Sequence, residues 1–134
     1  MPDIYPVYVV DDDEGIRELL CELCADREIP CSVYANGEDF LNALDSLAPG
    51  CVLLDMRLPR RNGLQVQAEM VSRGCPYPVI AITGYADVDM AVESMKLGAV
   101  DFLEKPFMND VLYDALDRAF AQLVETDGPA PAAG

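Results

Sequence analysis

Cys51-Val52-Leu53-Leu54-Asp55 is the stretch that decides the fold: four apolar residues in a row, ending in one carboxylate. A short continuous apolar run fits a strand buried on both faces, because a strand with one wet face would alternate. Val7-Tyr8-Val9-Val10 before it and Val79-Ile80-Ala81-Ile82 after it have the same character. Cys31-Ser32-Val33-Tyr34 and Val100-Asp101-Phe102-Leu103 are mixed in polarity and fit edge strands.

Helical stripes fill the gaps between these runs. Ile16, Leu19, Leu20 and Leu23 recur at helical spacing, as do Phe40, Ala43, Leu44 and Leu47, and then Val88, Ala91, Val92 and Met95. Leu112, Ala115, Leu116, Ala119 and Leu123 make a last helix, while Leu64 to Ser72 has only Val66 and Met70 at clean spacing. Every stripe is expected to face the core. Gly98, just after Leu97, is expected to close its helix in the left-handed conformation. Five strands alternating with five helices imply an α/β protein with a parallel sheet covered on both faces, since each parallel crossover needs a helix.

Length and composition agree with one domain. The chain has 134 residues, 51 % of them hydrophobic, enough to bury a core without metal or disulfide staples. Twenty-four acidic residues against nine basic ones give a net charge of −15, which argues against binding a nucleic-acid backbone. Neither a membrane span nor a secretory leader is visible, so a cytoplasmic location with free thiols is expected. Cys21 and Cys24 resemble half a zinc site, but the chain has no His and no second such pair, so the five cysteines read as small core filler. From about residue 125 the composition turns to Pro, Ala and Gly; residues 125–134 are expected to be a flexible tail or the start of a linker. The chain is accordingly read as one domain over residues 1–124 plus that tail.

In sheets of this kind the site lies at the carboxyl ends of the strands. The first strand ends in Asp11-Asp12-Asp13, the third in Asp55, the fourth in Thr83-Gly84, and the fifth runs into Glu104-Lys105-Pro106. Taken alone, the acidic triplet reads equally well as a helix cap, a role for which Asp13 or Glu14 suffices. Taken with the other strand ends, it supplies carboxylates that repel one another unless a hard cation joins them. Magnesium suits oxygen ligands of this type. Asp55, alone at its strand end, is the expected nucleophile toward phosphorus, with Lys105 as a point charge and Thr83 as a hydroxyl donor for phosphoryl oxygens.

These motifs resemble the receiver family of two-component response regulators over roughly residues 6 to 123. Asp11-Asp12 resembles the family's acidic pair, Val52-Leu53-Leu54-Asp55 through Pro59 and Gly63 its phosphoacceptor strand and loop, Ile80 to Thr83 its switch strand, and Gly98 through Phe102 to Lys105-Pro106 its last strand. The stretch from Thr83 to Phe107 is further similar to the nitrogen-fixation regulator subgroup. The resemblance implies a flavodoxin-like (βα)5 fold with strand order 2-1-3-4-5, an order for which a receiver protein is a standard example. It implies Mg2+ held by Asp12, Asp55 and the backbone carbonyl of Arg57, with Asp11 acting partly through water, and a cis Lys105-Pro106 bond. It implies a phosphoryl donor on a sensor histidine kinase or phosphotransfer protein, and catalysis limited to the domain's own phosphorylation and aspartyl-phosphate hydrolysis. Thr83 would move inward and Phe102 would turn into the space it leaves. The face formed by the fourth helix, fifth strand and fifth helix would then meet a downstream effector or an output domain, or a second copy in a phosphorylation-dependent homodimer. Phe102 stands where some relatives have tyrosine, so any switch here works by packing, and Arg57 and Tyr85 sit where the family tunes phosphoryl lifetime.

Two other readings use similar residues. A phosphatase of the haloacid dehalogenase type also has an Asp nucleophile, Thr or Ser, Lys and magnesium, but its nucleophile follows the first strand and its acidic pair comes late. A receiver-like module working without phosphate would ordinarily have lost an acidic residue or the lysine, and this chain has lost neither. A flavin role lacks its phosphate loop after the first strand.

Overall fold

The computed structural model of the protein describes residues 5–84 and 87–127. In chain order the elements are β1 (Val7–Val10), α1 (Glu14–Asp26), β2 (Cys31–Tyr34), α2 (Gly37–Ala43), a 3-10 turn (Leu44–Ser46), β3 (Cys51–Asp55), α3 (Gly63–Ser72), β4 (Val79–Thr83), α4 (Val88–Lys96), β5 (Asp101–Glu104) and α5 (Asn109–Asp127). The strands form one parallel sheet in the order β2-β1-β3-β4-β5. Alternation along each strand divides the core. Val7, Val9, Leu53, Ile80 and Ile82 meet Leu20 and Leu23 of α1 and Leu112, Leu116 and Ala119 of α5. Tyr8, Val10, Val52, Leu54 and Ala81 meet Phe40 and Leu41 of α2 and Val66 and Met70 of α3. The three continuous apolar runs are the three inner strands, fully buried, and the two mixed runs are the edges.

Three expectations need correction. The second helix does not reach Leu47: regular helix stops at Ala43 and the turn after it at Ser46. Pro49 disfavours helical backbone at Ala48, and the Ser46 hydroxyl donates to the Ala43 carbonyl at 3.1 Å, tightening the end. The fifth strand starts at Asp101, one residue later than expected. The stripe on α4 is core only at Ala91, and in the α1 stripe Leu19 is 42 % exposed. Val88, Val92 and Met95 are 40–47 % exposed, whereas Ala91 of the same stripe is buried together with Ser94. Periodicity identified residues sharing a face, but no element among the described residues covers Val88, Val92 and Met95.

Gly98 does end α4 as expected, with φ of +106° and Ala99 N–H donating to the Ser94 carbonyl at 3.0 Å. Helix α5 continues through Asp127, into the segment expected as tail; residues 128–134 of that segment, and Tyr85, lie outside the described residues. No helix among the described residues is long and apolar enough to cross a membrane.

Candidate functional site

Parallel register brings four strand ends to one edge of the sheet. Val10 sits opposite Leu54, Asp55 opposite Ile82 and Thr83 opposite Glu104, so the residues just past β1, β3, β4 and β5 line a common pocket. Asp13 caps α1, its carboxylate accepting from the N–H groups of Gly15 at 2.8 Å and Ile16 at 3.3 Å. That arrangement leaves Asp11 and Asp12 free of the capping role. Asp11 is fully buried and accepts from the Asp13 N–H at 2.9 Å, while Asp12 is exposed at the pocket mouth.

Gly63 lets α3 start hard against β3. A side chain there would lie 2.4 Å from the Asp55 carbonyl oxygen and 2.7 Å from the Met56 Cα. The loop between is thereby folded back so that the Arg57 N–H donates to Asp55 Oδ1 at 3.0 Å. Carboxylate oxygens of Asp11, Asp12 and Asp55 all lie within 4.8 Å of one another. Lys105 Nζ approaches Asp11 Oδ2 at 3.1 Å and Asp55 Oδ2 at 3.7 Å, and its bond to Pro106 is cis.

One ammonium facing three carboxylates leaves the pocket short of positive charge. Asp55, 4 % exposed, has its carboxyl pushed up to about 6. Burial is the main cause, with the Asp11 and Asp12 charges adding to it and the Arg57 N–H and Lys105 opposing it. For Lys105, burial works downward, but Asp55 and Asp11 outweigh it and the ammonium is held above its ordinary range. Thr83 is 1 % exposed, and its hydroxyl has no hydrogen-bond partner among the described residues. A buried hydroxyl without a partner typically costs about 1–3 kcal/mol, so it stands here at a standing disadvantage. Phe102, by contrast, is 41 % exposed on β5 and outside the pocket.

The donor set therefore fits a hard divalent cation: converging oxygen ligands, uncompensated negative charge, and one carboxylate open to water. Reading the sequence missed one member of the neighbourhood. Asp87, buried at the start of α4, makes no cap hydrogen bond and instead takes a forked contact from Arg57, with Nε at 3.1 Å and Nη2 at 2.5 Å. The Arg57 hydrogen bonds hold the Asp87 carboxyl below the usual range. Nothing local in the sequence pairs residues thirty positions apart.

Comparison with known proteins bears on the whole domain. The response regulator receiver domain pattern matches residues 7–117. The transcriptional regulatory protein FixJ of Bradyrhizobium diazoefficiens is 40 % identical over 116 residues, covering 87 % of this chain and 57 % of that protein. Full-length FixJ from B. japonicum superposes with a TM-score of 0.87 at 38 % identity, covering 96 % of this chain and 61 % of that one. The receiver domain of NtrX from Brucella abortus superposes with a TM-score of 0.81 at 32 % identity, covering 86 % and 98 %. The chain thus spans a little over half the length of the curated relatives it matches.

Proposed function

The chain belongs to the response regulator receiver family of two-component signalling, and from that premise we propose that Asp55 accepts the phosphoryl group and that Mg2+ assists the transfer. The observation that carries this is the buried, charge-starved carboxyl of Asp55 beside Lys105, Asp11, Asp12 and a partnerless Thr83 hydroxyl. Asp11, Asp12 and Asp55, with the Arg57 carbonyl, would hold the ion, which supplies positive charge against the phosphoryl oxygens. The donor is a phosphohistidine on a sensor kinase or phosphotransfer protein, working in the cytoplasm. A P–O bond forms to an Asp55 oxygen as the donor's P–N bond breaks, its electron pair staying on the imidazole nitrogen. Lys105 pairs with one phosphoryl oxygen and Thr83 donates to another, giving its hydroxyl the acceptor it lacks. Hydrolysis of the acyl phosphate by the same pocket resets the domain.

A protein donor is favoured by the surface beside the pocket. Ile16, Leu19, Pro106 and Phe107, with Lys105, line a mostly apolar hollow of about 320 Å3. On the output side, the exposed Val88, Val92 and Met95 of α4, Phe102 of β5 and Val111 of α5 form an apolar α4-β5-α5 face suited to an effector, an output domain or a second copy. Inward movement of Thr83 would let Phe102 turn in and change that face.

The test is the intact mass of the protein after incubation with acetyl phosphate, with and without Mg2+, for wild type and Asp55→Asn. A Mg2+-dependent phosphoryl adduct absent from the mutant supports the reading; an adduct that persists in the mutant refutes Asp55 as acceptor. Light scattering before and after activation tests the homodimer, for which an unchanged mass would count against it.

A further inference from the structure

Four of the five cysteines gather at one place, on the side of the sheet covered by α1 and toward the amino ends of β2 and β3, the opposite end of β3 from Asp55. Cys31 opens β2 and Cys51 opens β3, each in register with Val7 of the strand between them. Cys24 and Cys51 are buried in the core there, whereas Cys21 and Cys31 are only half-buried. The two half-buried sulfurs face each other across the α1–β2 connection with Sγ–Sγ of 2.9 Å. A disulfide bond is about 2.04 Å long, so only roughly 0.9 Å of approach separates these thiols from bonding distance. Cys21 also lines a surface hollow of about 280 Å3 together with Glu14, Arg17, Glu18 and Val33, which gives a small oxidant a way in.

We propose that Cys21 and Cys31 are a redox-active pair that a hydroperoxide converts to an intramolecular disulfide, tying α1 to the edge strand β2. In the first step Cys21 sulfur takes an oxygen from the hydroperoxide, which leaves as its alcohol or, for hydrogen peroxide, as water. In the second, Cys31 sulfur displaces the sulfenic hydroxyl of Cys21, forming the S–S bond, and the Cys31 proton departs with that hydroxyl as water. The order follows from placement. Cys21 lines the surface hollow and Cys31 does not, so Cys21 meets the oxidant first. In a reducing compartment the bond would be transient, as redox-sensing disulfides are. The proposal is independent of Asp55 and of the phosphoryl reading.

The experiment treats the whole protein with hydrogen peroxide at low molar excess, blocks remaining thiols with N-ethylmaleimide, and measures intact mass and tryptic peptides. The expected result is a fall in free thiols from five to three, the two lost being Cys21 and Cys31. Residues 18–27 should be found joined to residues 28–57, with fragmentation placing the bond at Cys21 and Cys31 and the N-ethylmaleimide labels at Cys24 and Cys51, and a thiol reductant should restore all five. Cys21→Ser should abolish the loss, while Cys24→Ala and Cys75→Ser should keep it, the last because Cys75 lies on the other face of the sheet. The proposal is overturned if five thiols survive under conditions that oxidise a small dithiol. It is equally overturned if Cys75 reacts first, or if Cys21→Ser still loses a pair.

Discussion

Two buried polar clusters sit in this small domain, one finished and one not. Gln67 of α3 and Ser94 of α4 are both almost wholly buried, and they satisfy each other: the Gln67 amide donates to the Ser94 carbonyl at 3.0 Å and the Ser94 hydroxyl donates to the Gln67 amide oxygen at 2.6 Å. At the carboxyl edge of the sheet, Thr83 is just as buried and its hydroxyl bonds nothing among the described residues, while Asp55 keeps its charge only against burial and two neighbouring carboxylates. The same physics applies to both, since an unpaired polar group in a low-dielectric interior is costly. A cluster whose needs are met internally joins two helices. One whose needs are left open invites completion by something that arrives, and on the function proposed above an ion with a phosphoryl group would meet those needs.

The comparison breaks most readily at Lys105. Lys105→Met removes the ammonium bonded to the buried Asp11 and should destabilise the protein by about 3 kcal/mol at neutral pH without Mg2+, measured by urea unfolding. Millimolar Mg2+ should return much of that loss; a loss that ignores Mg2+ would mean the lysine acts by packing.

Asp55→Asn should move stability the other way. Its folded-state carboxyl is raised to about 6 from 3.8, so between those values the folded protein holds more proton than the unfolded chain. With respect to this group, stability is therefore full below about pH 3.8 and falls as pH rises to about 6. At pH 7 without Mg2+ the substitution should gain up to about 3 kcal/mol, and the gain should vanish near pH 4, read from paired urea titrations. An equal gain at both pH values would place its origin outside titration.

On the finished side, Gln67→Leu strips the Ser94 hydroxyl of its acceptor and should cost about 2 kcal/mol, with Ser94→Ala added on top recovering part of it. Its phosphoryl adduct should accumulate at the wild-type rate. Thr83→Val is the smallest effect and the sharpest contrast. Removing a hydroxyl that bonds nothing should leave stability within about 1 kcal/mol of wild type, or raise it, while the response of the α4-β5-α5 face to phosphorylation is lost by solution NMR.

Residues at strand ends were readable because chain order and parallel register are coupled: once β1, β3 and β4 are recognised as buried runs, Asp11, Asp55 and Thr83 must share an edge. The capping box of Asn62 and Gln65 that starts α3 was also present in the sequence, as an Asn followed three residues later by Gln, and would have strengthened the weakest helix. Pairings across the fold were not readable. Gln67 with Ser94, Arg57 with Asp87 and Cys21 with Cys31 each join residues on separate elements, and polar or thiol side chains carry no sign of which partner they will meet. The exposed stripe of α4 failed for another reason. Its spacing is that of a buried face, and only the positions of the neighbouring helices decide whether such a face is covered.

The central claim is that the chain leaves Asp55 short of compensating charge, and the direct measurement is an NMR titration of its side-chain carboxyl carbon, with and without Mg2+. The account predicts a midpoint near 6 in the absence of divalent ions, moving well down when Mg2+ is added. A midpoint near 3.8 that Mg2+ does not move would contradict it, showing a pocket already balanced by its own residues.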